Sequence, residues 1–241
     1  MYPVLRWTIA LFAACTLTAG CTRMVDGTAL AAAPGSHTTT DSSARPVPPV
    51  MATTTLEGLL LSQDQLVALA GGANMALVGT ATGTSDSSQI IDDRTCLGLA
   101  SVGDMTVYAD SGYLAMRGNQ FSTPNAVQAD VTQLVTSFTT GGDARALLQR
   151  AQQDWRRCAQ RRYGFHSANG NHSYFPTQDL RVLGPRIALS MRQEEDPRWG
   201  CSHAMAVQGS VVVEGRVCLL DKDTDRAAES LLDQIVAKIG Q

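Results

Sequence analysis

Two hydrophobic periods alternate along the chain from Ser62 onward. Ser62, with Gln65 three residues later, forms a capping-box pattern ahead of Leu66, Leu69 and Ala70. This predicts a short helix stopped by Gly71 and Gly72. Ala144, Leu147, Leu148, Ala151, Trp155 and Cys158 recur every three or four residues and predict a longer amphipathic helix, with Asp143 as its cap. A third stripe, Ala228, Leu231, Leu232, Ile235, Val236 and Ile239, predicts a terminal helix capped by Asp223 or Asp225. Between these lie extended segments at 106–108, 113–121, 127–138, 163–166, 180–183, 187–191, 201–207 and 210–220, separated by Gly, Pro or polar turns. The last two read as a hairpin about Gln208 and Gly209. Residues 73–93 read as polar and irregular. The order of elements predicts an α+β fold, an antiparallel β-sheet flanked by helices in a single globular domain covering 56–241.

Upstream of that domain the pattern changes twice. Arg6 is followed by an uncharged apolar run over 7–20, the length of a signal-peptide core and short of the roughly 20 residues a membrane-spanning helix needs. The run ends in Leu17-Thr18-Ala19-Gly20-Cys21, which resembles the lipobox of bacterial lipoproteins, with small residues at the two positions before the cysteine. Residues 1–20 are therefore expected to be a lipoprotein signal peptide. Cys21 is then the lipidated N-terminus, and membrane attachment follows through a lipid anchor facing outside the cytoplasm. Residues 21–55 are rich in Thr, Ser, Ala and Pro with no periodic apolar face. They read as a disordered linker, with a span of roughly 30 to 35 Å as a flexible coil.

The chain has 241 residues, 44% of them hydrophobic, which suits one domain with a substantial core. Charged residues make up only 17%, with a formal net charge of −3, so nothing steers it towards nucleic acid.

With Cys15 in the leader and Cys21 lipidated, four cysteines remain: Cys96, Cys158, Cys201 and Cys218. They contain no C-x-x-C pair and no histidine at metal-ligand spacing, so they read as two disulfides outside the cytosol rather than a zinc site. Three connectivities are possible. Pairing Cys96 with Cys158 and Cys201 with Cys218 is favoured, because the second pair brackets a strand-turn-strand unit.

A family resemblance rests on several of these features together. They are Cys96 before a strand, Asp154-Trp155-Arg156-Arg157-Cys158 near a helix end, Cys201-Ser202-His203-Ala204 opening a strand, Val211 to Val213 running on to Cys218, and Ala227-Ala228 with Ile235 to Ile239 in a terminal helix. The chain from 56 to 241 resembles the extracellular sensor domain of the mycobacterial Ser/Thr kinase PknH and the stand-alone mycobacterial lipoproteins that share it. The resemblance implies an antiparallel sheet flanked by helices and a cleft for an unidentified ligand. It also implies first-to-second and third-to-fourth cysteine pairing.

Candidate chemistry is sparse. His37, His166, His172 and His203 form no H-E-x-x-H motif and no helix-face pair. His166 and His172, near Asn169 and Asn171, read as a solvated loop or as pocket lining. Arg156, Arg157, Arg161 and Arg162 read as a solvated helix end or as a grip for an anionic group. Glu194-Glu195-Asp196 beside Trp199 read as a polar turn in the absence of a spaced carboxylate loop. Trp155 reads as core packing against the first disulfide. No nucleophile elbow, phosphate-cradling loop or dinucleotide fingerprint occurs, so neither an enzyme nor a cofactor or metal is expected. The expected function is binding or sensing of a small molecule, glycan or lipid ligand in a cleft. The alternative is docking of an envelope protein, and an envelope hydrolase ranks behind both. A concave polar and aromatic pocket favours the first, an exposed apolar patch the second, and a buried titratable pair in the pocket the third.

Overall fold

The computed structural model describes residues 53–124, 128–167 and 170–239. Their centre is a seven-stranded antiparallel sheet. In chain order its strands are β1 (Ala76–Ala81), β2 (Ala115–Ser122), β3 (Ala129–Ser137), β6 (Arg181–Val182), β7 (Arg186–Arg192), β8 (Trp199–Gln208) and β9 (Val211–Leu220). Across the sheet the order is β1-β2-β3-β9-β8-β7-β6. A separate antiparallel hairpin is formed by β4 (Arg162–His166) and β5 (His172–Pro176). The expected α+β fold, an antiparallel sheet flanked by helices and closed by two disulfides, is what forms.

Alternation along the strands gives the sheet two apolar faces. On β9, Val211, Val213, Val217 and Leu219 point to one core, while Val212 and Cys218 point to the other. The first core is covered by α1 (Thr53–Leu59), α2 (Gln63–Leu69) and α6 (Thr224–Ile239), which bury Leu56, Leu66, Leu231, Leu232 and Ile235. Gln133, fully buried on β3, binds this layer down: its side chain accepts from Leu61 N–H and donates to Leu61 O, both at 2.9 Å. The opposite core is covered by α5 (Gly141–Cys158), preceded by a 3-10 turn at Arg94–Cys96 and by the short helices α3 (Leu97–Ala100) and α4 (Met105–Tyr108). Every apolar position expected on the inner face of α5 is buried there.

The capping box at Ser62 and Gln65 forms as read from the sequence. The cap of α5 is Thr140 rather than Asp143. Asp143 is the third helical residue, and its carboxylate reaches back to the Thr140 N–H, completing a capping box. Asp223 caps α6, accepting from the N–H groups of Asp225 and Arg226. Three further expectations are corrected. Residues 106–108 are helical, because Asp104 accepts from Thr106 N–H and starts a turn there. The stretch 73–93 contains edge strand β1, whose Leu77 and Val78 are both exposed, so no apolar alternation marks it. His172, expected in a loop, lies on strand β5. The first helix begins at Thr53, within the Thr-rich stretch. The start expected at Val127 for the third strand lies outside the described residues, as do the leader, Cys21 and almost all of the linker.

Both cysteine pairs join as expected. Cys96 and Cys158 are bonded beneath α5 with their Cα atoms 5.2 Å apart. Cys201 and Cys218, directly opposite on β8 and β9, are bonded with Cα atoms 4.0 Å apart.

Candidate functional site

The hairpin β4–β5 is fastened along both edges. Asp92 N–H donates to Gly164 O and the Asp92 carboxylate accepts from Gly164 N–H, holding the β4 side. On the β5 side Glu194 N–H donates to Tyr174 O, and the Glu195 carboxylate accepts from Tyr174 N–H. One face of the hairpin carries Tyr163, Phe165 and Phe175 towards the sheet, with Tyr163 and Phe175 stacked at 5.6 Å and 18°. Between this aromatic face and the ends of β2, β3, β8 and β9 lies a cleft of about 570 Å³. Trp199 and Ile91 extend its apolar wall, and the Cys201–Cys218 disulfide forms part of its lining.

The polar side of the cleft comes from three adjacent strands. Gln120 on β2 donates to Asp130 Oδ2 on β3 at 2.7 Å. Arg216 on β9 donates through Nη1 to Ala100 O and places Nη2 3.7 Å from Asp130 Oδ1, beyond hydrogen-bonding reach. Asp130 Oδ1 and Arg216 Nε are buried and have no hydrogen-bond partner among the described residues. Buried polar atoms are nearly always satisfied, so this ion pair is held in an incompletely bonded state. The Tyr163 phenol is buried and pushed up to about 12 by that burial, with the Arg216 charge acting in the opposite direction. It is neutral at physiological pH and donates to Met191 Sδ.

The sequence-flagged residues divide sharply. His203 is fully buried, with Nε2 2.9 Å from Glu214 Oε1 and Nδ1 2.6 Å from Leu99 O. The Glu214 carboxylate also accepts from Tyr108 Oη at 2.6 Å and from Gly103 N–H at 3.1 Å. Trp155 lies against the His203 ring with centroids 4.4 Å apart and donates to Gly98 O. This buried titratable pair is sealed in the core and does not line the cleft.

Three members of the basic cluster are spent on neighbouring carboxylates, while Arg156 is exposed near the end of α5. Arg157 pairs with Asp154, Arg161 with Asp93 at 2.9 Å, and Arg162 forms a two-pronged pair with Glu194 at 2.8 and 2.7 Å while lying 3.6 Å over the Tyr174 ring. Asp196 pairs with Arg198, which holds its carboxyl below the usual range. The Glu194–Asp196 segment is thus a polar turn. His166 and His172 are opposite each other on the hairpin, on the face away from the cleft. Sequence reasoning singled out neither Arg216 and Asp130 nor Phe165 and Phe175. The signal available was a charged residue on each of two strands that are otherwise largely buried, Asp130 on β3 and Arg216 on β9.

Among the described residues, no helix is long and apolar enough to cross a membrane, and no group of three or more His, Cys, Asp or Glu side chains could hold a metal.

Comparison with known proteins places the chain in a family. The chain is 28% identical over 184 residues to the serine/threonine-protein kinase PknH of Mycobacterium bovis, covering 75% of this chain and 30% of the kinase. It is likewise 28% identical to PknH of Mycobacterium tuberculosis, covering 29% of that protein. The chain thus spans less than a third of the length of these kinases. The crystal structure of the extracellular domain of PknH from Mycobacterium tuberculosis superposes with a TM-score of 0.72 at 28% identity, over 79% of this chain and 97% of that one. The family model for the PknH-like extracellular domain matches residues 51–238, and the chain belongs to that family.

Proposed function

We propose that this protein is a non-enzymatic envelope lipoprotein, anchored by a lipid on Cys21, whose PknH-like domain binds a small molecule, glycan or lipid between the sheet and the β4–β5 hairpin. The observation carrying this reading is the cleft itself: an aromatic wall of Phe165, Phe175 and Trp199 facing the incompletely bonded Arg216–Asp130 pair. Its volume of about 570 Å³ suits a small-molecule site, and such sites combine apolar walls with a few placed polar groups. The family supports an extracellular role, because the match is to the extracellular part of a kinase and not to a catalytic domain.

Native mass spectrometry of the oxidised protein, before and after incubation with an envelope extract, tests the reading. A small-molecule adduct is expected on the wild type and lost from both Arg216→Met and Phe165→Ala. An adduct retained equally by both variants overturns the cleft as its site. The anchor is tested separately: Cys21→Ser is expected to release the protein from the membrane fraction or leave it unprocessed. Processed, detergent-extractable Cys21→Ser protein would end the lipobox reading.

Docking of an envelope protein is the second reading, favoured by one feature. Edge strand β1 leaves Leu77 and Val78 at 53% and 58% exposure, and among the described residues no strand pairs with its outer edge. Loss of partner pull-down by Leu77→Lys, with the cleft variants unaffected, is the result that selects it.

A further inference from the structure

His166 and His172 are partners across the hairpin, one on each strand, flanking the loop that joins them. The hydrogen-bond pattern fixes which kind of partners they are. His166 N–H points away from β5 and donates to Ile90 O at 2.7 Å, while the next residue, Ser167, donates its N–H across the hairpin to Asn171 O at 2.9 Å. The histidines therefore occupy a non-hydrogen-bonded position, where facing side chains approach most closely. Their ring centroids are 4.2 Å apart and the ring planes are inclined at 66°. Both lie on the outer face with Arg162 and Tyr174, whereas Tyr163, Phe165 and Phe175 take the face lining the cleft.

We infer that His166 and His172 form a two-imidazole chelate for a divalent transition metal, nickel, copper or zinc. Three physical points carry this. Neutral imidazole is the nitrogen donor these ions prefer. Two imidazoles that share one metal, each nitrogen at about 2.1 Å from it, need their rings within a few ångströms of each other, and these centroids are 4.2 Å apart. The backbone that presents them is fixed beforehand by the contacts of Ile90 to Asp92 on one edge and of Glu194 and Glu195 on the other, so little ordering remains for the metal to impose. Among the described residues no third His, Cys, Asp or Glu joins them, so water completes the coordination sphere and the bound ion stays exchangeable. The inference does not depend on the cleft holding a ligand.

The test is isothermal titration of nickel(II) into the full oxidised chain with free thiols alkylated, alongside His166→Ala, His172→Ala, His172→Phe and His37→Ala. One nickel per chain is expected for the wild type and for His37→Ala, with affinity falling about tenfold or more in each hairpin variant, because one ligand of a pre-set pair is removed. His172→Phe keeps a ring against His166 and so reads ligand loss even if the alanine variants fold poorly. Equal nickel affinity in the wild type and His172→Phe, or loss of binding in His37→Ala instead, overturns the site. So does wild-type affinity no higher than that of the single-histidine variants.

Discussion

His203 and Glu214 meet at 2.9 Å inside a core from which both are wholly or almost wholly excluded from solvent. Both His203 ring nitrogens face acceptors, Leu99 O and Glu214 Oε1. Nδ1 therefore donates to the carbonyl, and Nε2 faces the carboxyl group. Tyr108, Gly103 N–H and His203 all converge on Glu214, so removing this one side chain strands three polar groups. Glu214→Leu is expected to cost about 3 to 5 kcal/mol of stability. His203→Leu with Glu214→Leu should cost less than the sum of the single changes, because no unpaired charge remains. Denaturant titrations of the singles and the double check this. Strict additivity would mean that the pair is not coupled.

Alkaline stability follows from two buried phenols. Burial, and then the charge of Glu214, hold Tyr108 well above its ordinary value, while burial raises Tyr163 to about 12. Both groups titrate near 10 once unfolded, so the folded state binds more protons than the unfolded chain above that pH. Their contribution is complete below pH 10 and is lost as pH rises through 10 towards the folded values. Tyr163→Phe should flatten the decline in unfolding free energy measured from about pH 9 to about pH 11. An unchanged slope would assign the decline to other groups.

Much of this architecture is written in residue periodicity. The faces of α5 and α6 were legible because burial of Leu147, Trp155, Leu231 and Ile235 is strictly periodic. The Cys201–Cys218 bridge was legible because its hairpin has a turn at Gly209, with φ +59°. Strand β1 was not, because an exposed edge strand needs no apolar alternation and Leu77 faces solvent. Helix α4 was misread because its start is decided by a single Asp104 side chain. The cleft was expected only in outline. Its members Arg216, Asp130 and Phe165 come from β9, β3 and the hairpin, and nothing local in the chain states that these meet. The pairing of His166 with His172 depends on β5 being a strand, which its short, half-polar sequence does not announce.

Sheet and terminal helix pack closely at Gly215. A Cβ there would collide with the Leu231 side chain of α6. Gly215→Ala should therefore cost about 1 to 3 kcal/mol by overpacking. Combining it with Leu231→Ala should give less than the summed losses, since the shortened side chain vacates the space. Thermal unfolding of the three variants reads this directly. A neutral Gly215→Ala would show that Leu231 moves aside freely.

The two disulfides close loops of different length, 62 and 17 residues, which separates their expected effects. In the chain-entropy account, removing Cys96–Cys158 as the double serine variant should cost about 4 kcal/mol, and removing Cys201–Cys218 about 3 kcal/mol. The first loss should be compounded locally, because Cys96 and Cys158 are fully buried against Trp155 and two polar serine hydroxyls would replace them there. The second bridge lines the cleft and joins strands already paired along their whole length. Its removal should leave the fold cooperative and chiefly alter the cleft. Denaturant midpoints of the two double-serine variants rank the effects. A Cys201/Cys218 variant less stable than the Cys96/Cys158 variant would show that clamping β8 to β9 matters more than loop length.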